Sequence, residues 1–182
     1  MPDISAGLLL YRRVPDAASG GSRIEVLLVH PGGPYWAKKD AGAWSIPKGL
    51  AEPGELGPEP ATVTAAKARN RAAELDLLTV ARREVREETG LEPEGPYLPL
   101  GGVKAHRHKL IFAWAVEHDC DATAVTSNTF TMQWPPRSGK TAEFPEVDHA
   151  AWFDLAAARE AIVPAQRRFL DDLAVVAAAP EA

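Results

Sequence analysis

Short apolar runs, separated by clusters of glycine and proline, recur along the chain and predict β-strands. The Gly-Gly-Ser cluster at residues 20–22 joins the first two runs and predicts a hairpin-like turn. The run at 109–117 is apolar at almost every position, so we expect a strand that is buried on both faces. The predicted strands are residues 6–11, 25–30, 109–117, 129–134 and 149–155.

Helical segments are predicted in the middle of the chain and near its end. The central helix is expected to end at Gly90, which suits the position just after a helix, and Pro93 prevents its resumption. Two more helices are predicted at 156–162 and 164–176, where Pro164 suits a first helical turn. Strands that precede and surround one helix, with further helices at the end, indicate an α/β fold with a mixed sheet between helices.

The composition indicates one soluble globular domain over residues 1–182. Apolar residues make up 46% and charged residues 25%, and the net charge of −5 argues against a general nucleic-acid-binding surface. The apolar runs are too short to span a membrane. The single cysteine, Cys120, excludes an intramolecular disulfide and suits a reducing cytoplasm. The alanine-rich end, about 177–182, is expected to fray.

Three glutamates provide the first candidate chemistry. On a helix, Glu84, Glu87 and Glu88 stand at i, i+3 and i+4 and therefore share one face. Two such charges about 5 Å apart repel by roughly 3 kcal/mol at an effective dielectric constant of about 20. A hard divalent cation, Mg²⁺ or Mn²⁺, would turn this repulsion into binding through oxygen ligands. Taken alone, the triplet is more typical of a solvated helix face.

The residues around these glutamates resemble the Nudix box, G-x5-E-x7-R-E-U-x-E-E-x-G-U, in which U is a bulky apolar residue. Gly49 and Glu55 fit its first part, and residues 83–91 fit its second part without a mismatch. The resemblance extends to the flanks, from residues 5–12 to the strand that carries Trp152. It implies the α/β/α sandwich of the Nudix hydrolases, which cleave a pyrophosphate bond in a nucleoside diphosphate linked to another group.

One departure from the family pattern lies inside the box. Where the family has seven residues, 27 separate Glu55 from Arg83, which corresponds to an insertion of 20 at about 56–75. Quadrupling the length of a loop costs only about 1.2 kcal/mol in closure entropy. Residues 65–74 are rich in Ala, Lys, Arg and Glu and predict a helix. The insertion leaves open whether Glu55 keeps its family role, and Glu74 is one residue away from the equivalent spacing.

The resemblance implies a metal centre and an arginine–carboxylate pair that supports it. The cofactor would be Mg²⁺ or Mn²⁺, and its implied ligands are one backbone carbonyl and three carboxylates, those of Gly49, Glu84, Glu87 and Glu88. Arg83 would pair with a carboxylate, Glu55 in the family pattern, and hold the loop against the helix. The planar guanidinium group suits such a bidentate contact.

The general base has two candidates. Glu84 is the default in the family pattern, whereas some branches use a glutamate from a late loop that precedes a tryptophan-bearing strand. Glu146, six positions before Trp152, fits that description, and Glu143 is a nearby rival. A solvated loop carboxylate is the alternative interpretation of both late glutamates.

Several other residues are candidates for substrate binding. Lys48, beside the box glycine, is placed to meet a phosphate, and Lys39 is a second candidate for that contact. Trp36 offers a face on which a base would stack, worth about 1–3 kcal/mol, although it equally suits a core position. Residues 106–108, His-Arg-His, are interpreted as a partly exposed strand that contacts phosphate, because a metal site there would have no third ligand in view. The tryptophans that we expect in the core are Trp114, Trp134 and Trp152.

The flanking residues narrow the substrate only modestly. They are similar to those of asymmetrical dinucleoside tetraphosphate hydrolases, so the first expectation is a dinucleoside polyphosphate such as diadenosine tetraphosphate. The alternative is a nucleoside triphosphate, ADP-ribose or a nucleotide sugar. The insertion motivates a second alternative, a catalytically silent nucleotide-binding module, although a silent module would be free to lose the glutamates that are present. The expected partner is a nucleotide-type small molecule, and a homodimer is expected by analogy with such enzymes.

Overall fold

The structure is a computed structural model that describes residues 3–55 and 77–178. Within these residues the strands are β1 (Ile4–Asp16), β2 (Gly21–Pro31), β3 (Lys48–Leu50), β4 (Tyr97–Lys104), β5 (Leu110–Glu117), β6 (Thr129–Gln133), β7 (Thr141–Pro145) and β8 (Val147–Asp154). The α-helices are α1 (Leu77–Thr89), α2 (Leu155–Ala161) and α3 (Arg167–Val176). Single 3-10 turns lie at His106–His108, Ala122–Ala124 and Pro164–Gln166.

A mixed sheet forms the centre of the fold. Its strand order is β4-β5-β1-β2-β8, and β3 pairs with the beginning of β1. The β1–β5 pair is parallel and the other pairs are antiparallel. Strands β6 and β7 form a separate two-stranded ribbon.

Helices cover both faces of the sheet, and β1 shows how the two cores are divided. Leu8 and Leu10 pack with the buried face of α1, whereas Leu9 packs with the two C-terminal helices. The largest fully buried residue on the latter side is Phe169 of α3. The predicted α/β sandwich with a mixed sheet is therefore confirmed.

The local predictions differ from the structure in several places. The first two strands extend well beyond the predicted 6–11 and 25–30, because their outer halves continue into the hairpin. The predicted strand at 106–108 is wrong, since these residues form a 3-10 turn. Trp134 is also not a core residue, because it is partly exposed and follows directly after the end of β6.

Some predictions concern residues that lie outside the described ranges. These are the helix at 65–74, Glu74 and most of the tail at 177–182. Among the described residues, no helix is both long and apolar enough to cross a bilayer.

Candidate active site

The face of α1 that meets the sheet begins apolar and ends acidic. Leu77, Val80, Ala81 and Val85 follow helical spacing and are buried. Glu84 lies on the same face and is only 9% exposed. Burial is the main cause of its raised pKa, because desolvation penalises the charged carboxylate. The sequence thus places a carboxylate where an apolar residue would ordinarily pack.

Two glycines allow β3 to lie close to both β1 and α1. A Cβ atom on Gly7 would lie 2.4 Å from the carbonyl oxygen of Pro47, and one on Gly49 would lie 1.8 Å from Oε2 of Glu84. Both distances are far too short for a side chain, so only glycine permits this approach. The Glu84 carboxylate therefore lies directly against the backbone of Gly49, the residue whose carbonyl is the implied ligand.

Arg83 links the two halves of the box. Its Nε and Nη2 each lie 3.0 Å from a carboxylate oxygen of Glu55, which makes a bidentate contact. Nη1 lies 2.7 Å from Glu84 and 3.2 Å from Glu87, and Nη2 donates to the carbonyl of Leu50 at 3.1 Å. The structure therefore brings Glu55 to Arg83 although the insertion separates them in sequence.

Among the carboxylates in the described residues, Glu88 has the largest upward shift of its pKa. Burial raises its pKa to about 7, and the charges of Glu84 and Glu146 act in the same direction. The positive charge of Lys48 opposes this rise, as does the Lys48 amide, which donates to Oε2 of Glu88 at 2.7 Å. Without a cation, the cluster therefore disfavours full ionisation at neutral pH.

The loop between β7 and β8 brings Glu146 to the same place. Its amide donates to the carbonyl of Asn128 at 2.9 Å, and its own carbonyl accepts from Gly32 at 2.9 Å. Asn128 in turn donates to the carbonyl of Glu87 at 3.0 Å, which ties the loop to the end of α1. The Glu146 side chain is exposed, and its charge raises the pKa of Glu84 and of Glu88.

Two lysines, Lys48 and Lys109, lie near the carboxylates. Of these, only Lys48 was predicted from the sequence. Lys109 is half-buried, and its pKa is lowered first by burial and then by the charge of Lys48. The charges of Glu84 and Glu88 act on it in the opposite direction, so it shares their electrostatic environment. Its position depends on the parallel register of β1 and β5. The one sequence feature that could have indicated this position is that Lys109 directly precedes a largely apolar strand.

The turn that begins at Gly32 carries the predicted Trp36 and Lys39. The Lys39 ammonium lies 4.5 Å from the centroid of the Trp36 ring, a cation–π contact. Tyr35, which is 57% exposed, packs edge-on against Trp134 of the ribbon at 5.6 Å between ring centroids. An accessible aromatic surface therefore lies next to the β7–β8 loop.

Two predicted alternatives lie apart from the cluster. The carboxylate of Glu143 accepts from the Thr129 hydroxyl within the β6–β7 ribbon. His106 and His108 are exposed in the 3-10 turn that precedes β5.

Comparison with known proteins agrees with this geometry. A family model described as the NUDIX domain matches residues 70–173. A search of curated proteins found no match.

Three solved structures illustrate the shared fold. The NUDIX domain of Shewanella oneidensis NrtR, complexed with ADP ribose, has a TM-score of 0.57 and 14% identity over 97% of this chain and 89% of its own. A C. elegans Ap4A hydrolase in a binary complex has a TM-score of 0.56 and 19% identity over 96% and 98%. A MutT protein from Methanosarcina mazei Go1 has a TM-score of 0.53 and 18% identity over 97% and 96%. At these identities the likeness concerns the fold.

Proposed function

The chain belongs to the Nudix family of pyrophosphohydrolases, and we propose that its carboxylate cluster binds Mg²⁺ or Mn²⁺ and cleaves a pyrophosphate bond in a nucleoside diphosphate linked to a second group. The observation that carries this proposal is that the buried Glu84 and the partly buried Glu88 lie on one helix face, both with a raised pKa. Such an arrangement lowers the stability of the metal-free fold, and a bound cation would reverse that effect.

The donor set fits a hard divalent ion. The three glutamates of α1 and the backbone of Gly49 offer oxygen atoms only, which Mg²⁺ and Mn²⁺ prefer. The contact between Gly49 and Glu84 brings the loop donor to the helix donors. When bound, the ion neutralises phosphate oxygens and polarises the bond that is cleaved.

We assign the general base to Glu146 and a ligand role to Glu84. Glu84 is held at 2.7 Å by Arg83 and lies against Gly49, so it has little freedom to receive a proton from water. Glu146 is exposed, and hydrogen bonds fix the backbone of its loop on both sides. A positioned, solvent-accessible carboxylate near the metal ligands suits proton abstraction from water.

Positive and aromatic groups would bind the two ends of the substrate. Lys48 and Lys109 lie beside the carboxylates and would contact phosphate oxygens. Tyr35, which packs against Trp134, would stack a nucleobase, and Trp36 with Lys39 over its ring is a second candidate for that contact. Together they fit a dinucleoside polyphosphate such as diadenosine tetraphosphate, the substrate class named for the C. elegans structure. ADP-ribose, which the S. oneidensis domain binds, is the second candidate.

A substrate panel tests the proposal. Diadenosine tetraphosphate, ADP-ribose, nucleoside triphosphates and a diphosphoinositol phosphate are incubated with Mg²⁺ or Mn²⁺, and products are separated by chromatography. We expect asymmetric cleavage of the dinucleotide into ATP and AMP. Preference for ADP-ribose would reassign the substrate within the same reaction class. Nucleotide binding without turnover of any compound would favour the silent module instead.

Three broader expectations remain proposals: a single domain, a cytoplasmic location and a homodimer. The half-buried Cys120 has a thiol whose pKa is raised mainly by burial, which supports a structural rather than a reactive role. Light scattering after size exclusion would measure the oligomeric state directly.

A further inference from the structure

Strands β2 and β8 bring two histidines and an aspartate together outside the carboxylate cluster. His30 and His149 are partners in the antiparallel register, and the next pair is Pro31 with Val147. Asp148 is therefore the extra residue of a β-bulge, and a bulge re-aims a side chain relative to the regular alternation of a strand. One ring nitrogen from each histidine and one carboxylate oxygen of Asp148 all lie within 4.8 Å of one another.

His30 has an oxygen acceptor beside each of its two ring nitrogens. Its side chain is 8% exposed, and Nε2 lies 2.7 Å from the carbonyl oxygen of Lys39. A carbonyl only accepts, so Nε2 carries a hydrogen, and Nδ1 of a neutral imidazole then holds a lone pair. That Nδ1 lies 2.7 Å from Oδ1 of Asp148, which is a second acceptor. A metal ion bound at Nδ1 would therefore also meet the carboxylate of Asp148.

The same aspartate oxygen has a further nitrogen neighbour. Nδ1 of His149 lies 3.1 Å from Oδ1 of Asp148, so three donor atoms converge on one point. We propose that His30, Asp148 and His149 bind a divalent transition-metal ion, with Zn²⁺ as the leading candidate. Two imidazoles and one carboxylate form a common zinc ligand set. The carbonyl of Lys39 orients the His30 ring as hydrogen-bond partners commonly orient metal-bound histidines.

The geometry needs only small adjustment to hold the ion. Donor atoms around a tetrahedral zinc lie about 3.3 Å apart when the bonds are about 2.05 Å long. The His149–Asp148 distance of 3.1 Å is close to this value. The His30–Asp148 distance of 2.7 Å must open by about 0.6 Å. His149 is 75% exposed and free to move, whereas His30 is fixed in the core.

This site differs in chemistry from the carboxylate cluster of α1. Nitrogen donors favour Zn²⁺, whereas the all-oxygen donors of the cluster favour Mg²⁺. A bound ion would link the end of β2 to the start of β8. Its ligand Asp148 lies two residues after Glu146. It would also stabilise the folded protein by mass action, because the ligands converge only in the folded chain.

The test is Zn²⁺ affinity, measured on tag-free protein by competition with a chromophoric chelator in excess Mg²⁺. Co²⁺ substitution adds a visible absorption band if the coordination is tetrahedral. We expect His149→Ala and Asp148→Asn each to lower the Zn²⁺ affinity at least 100-fold and to abolish the Co²⁺ band. His118→Ala, which changes a histidine outside the cluster, should leave both unchanged.

Because the His149 side chain is exposed, its removal should leave the fold intact, and circular dichroism checks this. Wild-type affinity that persists in both His149→Ala and Asp148→Asn would overturn the proposal. So would a wild-type protein that binds Zn²⁺ no more tightly than those two variants.

Discussion

Replacing Glu88 with glutamine removes a partly buried charge while keeping its main hydrogen bond. The glutamine carbonyl can still accept from the Lys48 amide, which lies 2.7 Å from Oε2 of Glu88. Burial raises the pKa of Glu88 from 4.5 to about 7 in the folded protein. Each pKa unit between the folded and unfolded states is worth about 1.4 kcal/mol. Ionised Glu88 therefore destabilises the metal-free fold by about 3 kcal/mol at pH 8.

The pH dependence has a definite sign. The pKa of Glu88 is higher in the folded than in the unfolded state, so the folded state binds more protons between pH 4.5 and about 7. The wild-type protein therefore loses stability as the pH rises through this window. At pH 5 the folded state is protonated at Glu88, and the destabilisation shrinks to less than about 1 kcal/mol. Glu88→Gln should raise the Tm of the metal-free protein by roughly 5–10 °C more at pH 8 than at pH 5.

Thermal unfolding followed by circular dichroism in EDTA measures this difference. Glu160→Gln, which changes an exposed helix glutamate, is the matched control and should follow the wild type at both pH values. Mg²⁺ should raise the Tm of the wild type at pH 8 and have little effect on Glu88→Gln. An equal change of Tm at pH 5 and pH 8, or a lower Tm at pH 8 only, would refute burial as the source of the shift.

Three further substitutions test the geometry of the cluster. Gly49→Ala places a Cβ atom 1.8 Å from Oε2 of Glu84. We expect kcat to fall about 100-fold while the circular dichroism spectrum stays unchanged. Full activity of this variant would contradict the close approach of Gly49 to Glu84. Glu55→Gln removes the charge that pairs with Arg83, and urea unfolding should show that the free energy of unfolding falls by about 1 kcal/mol. An unchanged midpoint would show that the Glu55–Arg83 pair is unimportant for stability. Lys109→Met should raise KM roughly tenfold with little change in kcat if the lysine binds phosphate, whereas an unchanged KM would remove it from the site.

The carboxylate face could be predicted because it depends on local spacing alone. Residues at i, i+3 and i+4 share a face on any α-helix, so Glu84, Glu87 and Glu88 needed no tertiary information. Gly90 at the helix end was equally local, and its φ of 73° is a conformation that glycine adopts readily. The contact between Glu55 and Arg83 was expected only from the family pattern.

Features that depend on strand register could not be predicted. Lys109 reaches the cluster because β5 runs parallel to β1, a pairing between segments about 100 residues apart. The three-residue strand β3 exists only through its pairing with β1. His30 and Asp148 meet because of a β-bulge, which left no recognisable pattern in the sequence. Trp134 was misplaced because aromatic content indicates a core position only when the strand belongs to the main sheet.

We propose that the carboxylate cluster of α1 performs metal-dependent cleavage of a pyrophosphate bond. The most direct test is the initial rate of hydrolysis of the best substrate in the panel, measured over a Mg²⁺ titration for the wild type and for Glu87→Gln, with Glu160→Gln as control. We expect a saturable dependence of the rate on Mg²⁺, no turnover in EDTA, and a loss of at least about 100-fold in the rate of Glu87→Gln. Turnover that persists in EDTA, or an equal rate in Glu87→Gln, would contradict the proposal.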